Sequence, residues 1–333
     1  MLLKNMSSGE VEMLRSIVCP YCSASIETTT YETVVTCPYC GTTFIKGGDV
    51  IKDHRMGMVN YSPSQIFRIF KEWALRKPET PDDISAKARF ENYRLVLYPY
   101  WVFNVDLNAF YRAKKKGFMT EGSEMETLTV SVPANRGMEG TMLSDYEFSL
   151  RGKIFYNSQV VKKFNAKILN ADVNVEEAKR KALNRALNYI KKKLEKIGLE
   201  AIEFTEKTKA KIAPPTYVHI PVYVMNYSYA GKRYKFLADA SDSRIIYAEI
   251  PTGKVFRMIS AGAAFASLIF AGLVFLVGLG LRATCFAAYS GFLILLISGF
   301  MFYKAATGVI VVKKYKEERD IEKQFTDFIV KHL

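Results

Sequence analysis

The sequence has few of the residues and motifs on which most enzymes depend. Its 333 residues include only three histidines, His54, His219 and His332. It contains no Gly-x-Ser-x-Gly nucleophile elbow and no Gly-x4-Gly-Lys-[Ser/Thr] phosphate loop, so neither a serine hydrolase nor a nucleotide-driven motor is supported. A catalytic triad would have to use His219, which we expect to lie on a strand. We therefore expect the protein not to be an enzyme.

Charge is nearly absent from one long stretch near the C-terminus. Residues 259–303 carry a single charged side chain, Arg282. The apolar runs on either side of it, 259–281 and 285–303, are each long enough to cross the hydrocarbon core of a bilayer. The short connection between them predicts a two-helix transmembrane hairpin over 256–304. A hairpin buried inside a soluble protein is the alternative.

The distribution of basic residues predicts how this hairpin is oriented. Lys254 and Arg257 precede the first span, and several lysines follow the second, whereas only Arg282 lies between the spans. By the positive-inside rule, both the N-terminal bulk and the C-terminal tail face the cytoplasm, and the protein is a multi-pass plasma-membrane protein. The N-terminal lead, 1–16, lacks the continuous apolar region of a secretory signal.

A stripe of small residues runs along the first span. Ala263, Ser267 and Ala271 recur at helical spacing, which suits close packing of the two helices or the seam of a homo-oligomer. Neither span contains an Asp, Glu, Lys or His residue, and intramembrane charges usually mark ion pathways. Transport by the hairpin alone is therefore not expected.

Four of the five cysteines form two Cys-x2-Cys pairs, Cys19 with Cys22 and Cys37 with Cys40. This spacing is typical of a zinc site in which each pair supplies one edge of a tetrahedron. With β-prone sequence around them, the pairs predict a zinc ribbon over 17–46 that holds one structural Zn²⁺. Iron also suits four thiolates. Two disulfides are the other alternative, which a cytoplasmic location disfavours.

The middle of the chain combines helix signals with aromatic and β-branched strands. Ser62 and Gln65 form a capping-box pattern, and a long helix is expected to begin at Asn174 and to stop at Gly198. Its predicted apolar stripe is Leu183, Leu187, Ile190, Leu194 and Ile197. The fold class is therefore multi-domain, with a small β zinc ribbon, a duplicated α+β domain and a transmembrane hairpin followed by an amphipathic tail helix.

The domain boundaries follow from these segments. Residues 47–61 are expected to be a linker, in which His54 has no special role. The α+β region covers 62–255. Segments 96–104 and 218–226 share Val, Pro, Val and Asn at matching positions, which suggests two related helix-plus-strand units at about 62–150 and 170–250.

The C-terminal tail, 305–333, is predicted to be a cytoplasmic helix. It carries apolar residues at helical spacing: Ile321, Phe325, Phe328, Ile329 and Leu333. This stripe has three alternative partners, namely the α+β domain, a partner helix and the inner leaflet.

A basic helix face is the candidate polyanion-binding surface. The chain has 47 Lys and Arg residues against 33 Asp and Glu, a net charge of +14. Many of these charges lie on the long helix, and the candidates are Lys179, Arg180, Arg185, Lys191, Lys192, Lys193 and Lys196. Such a face suits the phosphates of nucleic acid or of lipid head groups, and a merely solvated face is the alternative.

The order of these parts resembles a prokaryotic family of membrane-anchored zinc-ribbon proteins. The resemblance rests on the cysteine pairs, on 98–111 (YPYWVFNVDLNAFY), on 130–137 (VSVPANRG) and on 221–251. The family has a transcription-factor-B or rubredoxin type of ribbon, a duplicated α+β region and a transmembrane hairpin, with no established activity. The resemblance and the residues together suggest a non-enzymatic adaptor that binds protein partners. A membrane-tethered nucleic-acid-binding regulator is the alternative.

Overall fold

The computed structural model describes residues 14–280, residues 294, 296, 298 and 299, and the segment Val309–Val312. The chain divides into two compact units, each built from several segments. The described residues of the first unit are 14–60, 94–223 and 239–242. Those of the second are 61–93, 224–238 and the described residues from 243 onward.

Two small antiparallel hairpins form the start of the first unit. Strand β1 (Leu14–Val18) pairs with β2 (Ser25–Thr29), and β3 (Val34–Thr36) pairs with β4 (Thr43–Ile45). The two Cys-x2-Cys pairs lie in the connections within these hairpins. Their core is small and consists of two buried cysteines with Ile26, Val35 and Phe44. The first strand begins before the boundary predicted at residue 17.

The segment predicted to be a linker contains a strand. Strand β5 (His54–Met56) lies parallel to β12 (Thr216–Tyr229) and antiparallel to β8 (Ile154–Phe155). Both His54 and Met56 are buried. Three residues have too little pattern to predict a strand, and the partners of β5 lie far along the chain.

A long hairpin dominates the first unit. Strand β6 (Arg89–Lys115) pairs antiparallel, through its residues Tyr100–Lys115, with β7 (Phe118–Pro133). The connecting residues, Lys116 and Gly117, both have positive φ, 49° and 85°, as a two-residue turn that follows the strand twist requires. Further strands pair with β6, namely β9 (Lys167–Ile168), β10 (Glu200–Phe204) and β11 (Lys209–Ile212).

Helix α4 (Val175–Lys196) packs against β7 and β10. As predicted, the Asn174 side chain caps it by accepting a hydrogen bond from the Glu177 N–H at 2.8 Å. Of the predicted stripe, Ile190 and Leu194 are buried and Leu183 and Leu187 pack partly buried against the same core, whereas Ile197 is 62% exposed. The residues that face the sheet recur every four positions, and they are Ala178, Ala182, Ala186, Ile190 and Leu194. Three alanines allow the helix backbone to approach the sheet closely.

In the second unit, helix α1 (Pro63–Leu75) begins with the predicted capping box, and the short α2 (Ile84–Lys87) follows. The apolar face of α1 is aromatic, and its Phe70 ring stacks on the Phe236 ring with centroids 4.1 Å apart. Phe236 belongs to β13 (Lys232–Asp239), which pairs with β14 (Ile245–Pro251). Aromatic stacking therefore joins α1 to this sheet.

The packing crosses the predicted internal repeat. Helix α1 precedes β6 in the chain but packs on Tyr227 and Phe236 of β12 and β13. Helix α4 precedes β12 but packs against β7 and β10. Strands β6 and β12 each contribute residues to both units. Each compact unit therefore contains residues from both predicted repeat units, and the internal repeat stays a prediction.

The short connections of the first unit complete its secondary structure. A 3-10 turn spans Arg136–Met138, and the short helix α3 spans Ser158–Lys163. The Asn157 side chain caps α3 by accepting a hydrogen bond from the Gln159 N–H at 2.9 Å.

The C-terminal part of the second unit contains a long apolar helix. Helix α5 (Lys254–Gly280) includes one segment, Phe256–Leu273, that is long and apolar enough to cross a membrane, with a mean hydropathy of 1.6. The turn at 282–284, most of the predicted second span and the apolar stripe of the tail lie outside the described residues. Segment Val309–Val312 is a strand, β15, that pairs with β14. It departs from the helix expected over 305–333 because all four of its residues are β-branched.

Candidate metal centre

The four predicted ligands converge on one point. The sulfurs of Cys19, Cys22, Cys37 and Cys40 all lie within 4.8 Å of one another. The distances from Cys19 to Cys40 and from Cys22 to Cys37 are both 3.7 Å. A tetrahedral zinc site with Zn–S bonds of about 2.3 Å requires sulfurs about 3.8 Å apart. The cluster therefore fits a four-coordinate metal ion, and the same four sulfurs suit iron.

The disulfide alternative is wrong for these cysteines. Bonded sulfurs lie about 2.05 Å apart, whereas these four are free thiols. Two contacts of 3.7 Å join cysteines from different Cys-x2-Cys pairs. Both pairs therefore contribute to one cluster.

The two cysteine turns share one backbone design. In each, the N–H of the first cysteine donates to a carbonyl five residues later, and its own carbonyl accepts from the N–H four residues later. These bonds are Cys19 N–Ala24 O at 2.9 Å, Ser23 N–Cys19 O at 3.0 Å, Cys37 N–Thr42 O at 2.8 Å and Gly41 N–Cys37 O at 2.9 Å. The repetition gives the cluster approximate twofold symmetry within the ribbon.

The residue after each second cysteine turns through the left-handed region. Gly41 has φ of 82°, and Ser23, the residue at the same place in the first turn, has φ of 58°. A Cβ on Gly41 would lie only 3.2 Å from the Tyr156 ring and 3.3 Å from Ser158. The left-handed conformation and the tight space therefore both favour glycine in the second turn.

Burial and hydrogen bonding act differently on the cysteines. Burial raises the pKa of the Cys37 thiol to about 12. Burial also acts to raise the pKa of Cys40, but hydrogen bonding by the Thr42 hydroxyl and N–H outweighs it and lowers that pKa to about 6. The Thr42 oxygen lies 3.2 Å from the Cys40 sulfur. A bound metal cation would supply the positive charge that keeps all four thiolates deprotonated.

Two tyrosines project from the cysteine turns into solvent. Tyr21 is 78% exposed and Tyr39 is 62% exposed, and each lies between the two cysteines of its turn. Neither residue is needed to hold the metal, because the cysteines supply four ligands. The sequence analysis did not single them out, although their identical position in the two motifs was a signal that could have done so.

A buried chain of hydrogen bonds connects the ribbon to the sheet of the first unit. Thr43 Oγ1, on β4, lies 2.6 Å from His54 Nδ1, and His54 Nε2 lies 2.8 Å from His219 Nδ1. His219 Nε2 ends the chain 3.0 Å from the carbonyl oxygen of Leu169. Thr36 Oγ1 extends the other end, 3.0 Å from Thr43 Oγ1.

The partners in this series of hydrogen bonds determine which histidine nitrogens carry protons. The Leu169 carbonyl can only accept, so His219 donates through Nε2 and accepts through Nδ1. His54 must then donate through Nε2 and accept from the Thr43 hydroxyl through Nδ1. Burial lowers the pKa of His219 to about 4 and lowers that of His54 well below its usual value. Both rings are therefore neutral at pH 7, and His54 is a structural link rather than a linker histidine.

The candidate polyanion-binding residues separate into two groups. Lys193 is paired with Glu124 and Glu126 of β7, which raise its pKa. Arg185 donates to two backbone carbonyls, those of Ser131 at 2.6 Å and Ser144 at 3.0 Å. The remaining candidates lie on the exposed face of α4, and they are Lys179, Arg180, Lys191, Lys192 and Lys196.

Comparison of the chain with protein-family models, with curated proteins and with solved structures finds no match. The resemblance noted from the sequence therefore stays a prediction. The candidate metal centre is supported by the distances between the four sulfurs.

Proposed function

We propose that the protein is a membrane-anchored, cytoplasm-facing scaffold in which a structural zinc ribbon displays a surface for a protein partner. The observation that carries this proposal is the four-cysteine cluster. Four sulfurs that lie within 4.8 Å of one another would occupy every position around a zinc ion, whereas a catalytic zinc keeps one position open for water or substrate. The metal would therefore hold the ribbon in shape, and the ribbon's outer surface would do the binding.

The anchor is supported by helix α5 and by the place where the chain returns. Residues Phe256–Leu273 are long and apolar enough to span a bilayer. Val309 of β15 lies opposite Pro251 of β14, so the chain comes back beside the residues from which α5 departs. A 27-residue helix is about 40 Å long. This return of the chain by Val309 is what a two-helix hairpin requires.

One side-chain contact supports the same antiparallel arrangement. Ser267 Oγ, midway along α5, lies 2.5 Å from Ser298 Oγ, and Ser298 is buried. Ser267 belongs to the small-residue stripe and Ser298 to the predicted second span. A serine pair at this place suits two helices that pack closely in a bilayer. Alkaline carbonate extraction should leave the protein in the membrane pellet, and release into the supernatant would contradict the anchor.

The partner surface is proposed to centre on Tyr21 and Tyr39. Both side chains are large, rigid and exposed, and tyrosine combines a large apolar contact area with a polar tip, which explains its enrichment at interfaces. The metal fixes the two turns relative to each other, so it also fixes the positions of these rings. Loss of the metal should therefore abolish partner binding.

Site-specific crosslinking in native membranes tests this surface. A photo-reactive residue replaces Tyr21 or Tyr39, and the matched control places it at Phe118, which is 79% exposed at the end of the β6–β7 hairpin. We expect discrete protein crosslinks at the two ribbon positions and none of the same mass at 118. Adding Cys37→Ser should remove them. The absence of a discrete crosslink at either tyrosine would overturn the proposal.

A second function, nucleic-acid binding by the membrane-tethered protein, is favoured by the exposed basic residues of α4. It predicts binding of DNA or RNA that weakens steeply as salt increases, because phosphate contacts release counterions. Replacing Lys191 and Lys192 with glutamine should weaken binding further. Salt-insensitive binding, or no binding by the detergent-purified full chain, would exclude this function.

A further inference from the structure

An open cleft of about 370 Å³ lies in the second unit, beside the turn between β12 and β13. It has no part in the ribbon or in the basic face of α4. Its walls come from the end of α2, the start of β6 and both sides of the turn. The lining residues are Lys87, Arg89, Glu91, Ser228, Tyr229, Ala230, Gly231 and Arg233.

Positive charge predominates in this cleft. Three lining side chains, Lys87, Arg89 and Arg233, are cationic, and only Glu91 is acidic. Glu91 contacts Arg233 at Nε, 3.1 Å away, and the Arg233 side chain is still 84% exposed. One edge of its guanidinium is therefore engaged, and most of its surface faces solvent. Arg89 is exposed as well.

Contacts behind the cleft hold its other polar residues in place. Asp83 accepts a hydrogen bond from the Tyr229 hydroxyl at 2.5 Å and forms an ion pair with Lys87 at 2.6 Å. Burial and this hydrogen bond raise the pKa of Tyr229 to about 12, so the phenol stays protonated at neutral pH. Asp83 thus orients Lys87 and Tyr229.

The turn between β12 and β13 leaves the cleft open beside its backbone. Ala230 and Gly231 both have positive φ, 49° and 76°, which gives a tight two-residue turn. A Cβ added to Gly231 would meet no atom within 4 Å. A ligand can therefore approach close to the main chain at this point.

A second cleft in the described part of the protein is less suited to an anion than the cleft lined by Arg89 and Arg233. It lies beside α4 and contains Lys181 and Arg185. Lys181 already contacts the carboxylates of Glu139 and Glu177, at 2.5 and 2.8 Å. Arg185 is engaged by two backbone carbonyls. The cations of that cleft therefore have protein partners, whereas Arg89 and most of the Arg233 surface face solvent.

We propose that the cleft lined by Lys87, Arg89 and Arg233 binds the phosphate group of a phosphate ester. The guanidinium group presents its N–H donors in a planar fork that matches two oxygens of one phosphate, and lysine adds a point charge. Arg89, at the start of β6, and Arg233, on β13, supply the forks, and Lys87 contributes its charge from the end of α2. The site goes beyond the scaffold proposed above and needs neither the zinc ion nor a protein partner.

The phosphate has two sources with the same chemistry, a lipid headgroup and a soluble phosphate compound. The position of the cleft within the second unit favours a lipid headgroup over a soluble phosphate compound. Arg257, in the first turn of α5, acts electrostatically on Tyr234, the neighbour of Arg233. β13, the strand that carries Arg233, therefore passes near the start of the candidate membrane span, where anionic lipid headgroups would be found.

The experiment measures ligand binding to the full chain, loaded with zinc and purified in a neutral detergent. The probes are short-chain phosphatidylglycerol, short-chain phosphatidylcholine and inorganic phosphate, titrated by calorimetry. We expect saturable binding of phosphatidylglycerol or inorganic phosphate. The doubly substituted chain, Arg89→Gln with Arg233→Gln, should bind at least about tenfold more weakly, because it loses both guanidinium groups that would hold the phosphate.

The matched control removes the same net charge elsewhere, by Lys115→Gln with Lys116→Gln at the end of the β6–β7 hairpin. This control should change the affinity less than about twofold. Tighter binding of phosphatidylglycerol than of inorganic phosphate identifies a headgroup site, and the reverse order identifies a site for a soluble phosphate. Equal losses in both double variants would reduce the effect to net charge and overturn the proposal. Lack of saturable binding by either phosphate probe would overturn it too.

Discussion

His54 Nε2 lies 2.8 Å from His219 Nδ1, and the pair connects β5, a strand beside the cysteine ribbon, to β12. Both rings are buried. Tyr156 stacks on His54 with ring centroids 4.3 Å apart, and its ring also approaches Gly41 beside the metal site. The histidine pair and Tyr156 together make the ribbon part of the first unit rather than a module on a flexible linker.

The buried histidines should make the protein less stable in mild acid. Burial lowers the folded-state pKa of His219 to about 4, from an ordinary value of 6.5. The unfolded chain therefore takes up a proton first as the pH falls. Stability is fully present above pH 6.5 and is lost between about pH 6.5 and pH 4. From pH 7 to pH 5, His219 alone should lower the free energy of unfolding by about 2 kcal/mol.

Thermal melting of zinc-loaded protein across this pH range measures the effect. His219→Gln should melt at a lower temperature at pH 7, because it disrupts the hydrogen-bond chain, but its melting temperature should depend less on pH. Tyr156→Phe is the control, because it keeps both histidines and the stacked ring and should keep the full pH dependence. Zinc content is measured at each pH. If His219→Gln retained the parental pH slope, the histidine explanation would be wrong.

Metal binding should be coupled to folding of the ribbon. Purified protein should contain one metal ion per chain, with zinc as the expected element, and Cys37→Ser with Cys40→Ser should lose it. The ribbon core is so small that the metal must supply most of its folding free energy. Elemental analysis and limited proteolysis check this, with cleavage expected within 14–46. A metal-free protein whose ribbon resists protease would contradict the prediction.

Gly57 should be intolerant of even a methyl group. A Cβ at this position would lie 2.3 Å from Ser241 Oγ and 2.7 Å from Cδ of Pro221. We expect Gly57→Ala to cost about 1–3 kcal/mol of folding free energy through overpacking. Gly48→Ala is the control, because its added Cβ would approach Ile45 at an ordinary 3.4 Å. Denaturant unfolding compares the two variants, and equal midpoints would show that the close approach at Gly57 is not maintained in solution.

Arg185 should contribute to stability rather than to polyanion binding. Its two guanidinium nitrogens satisfy the carbonyls of Ser131 and Ser144, so Arg185→Gln should cost about 1–3 kcal/mol by leaving acceptors unpaired. Lys191→Gln, on the exposed face of the same helix, should change stability by less than about 0.5 kcal/mol. Thermal melting of the two variants tests this contrast. A larger loss for Lys191→Gln would reverse the division of the basic residues made from their contacts.

The sequence by itself determined the features that depend on local spacing. Two Cys-x2-Cys pairs specify two tight turns, each of which presents two sulfurs, and four sulfurs on two turns predict one shared metal ion. Ser62 and Asn174 mark helix starts because a cap acts only on the N–H groups of its own first turn. The apolar run of α5 was visible for the same reason, since hydropathy is a property of consecutive residues.

Only the tertiary structure decided which distant segments meet. Nothing near His54 in the sequence indicates that it bonds to His219, because the contact depends on the parallel pairing of β5 with β12. The crossed packing of α1 and α4 was equally hidden, since an amphipathic helix shows that it has an apolar face but not which sheet covers it. The anion cleft has the same origin. Lys87, Arg89 and Arg233 come together through the folding of separate segments, and side chains combine into a site only where the fold makes them neighbours.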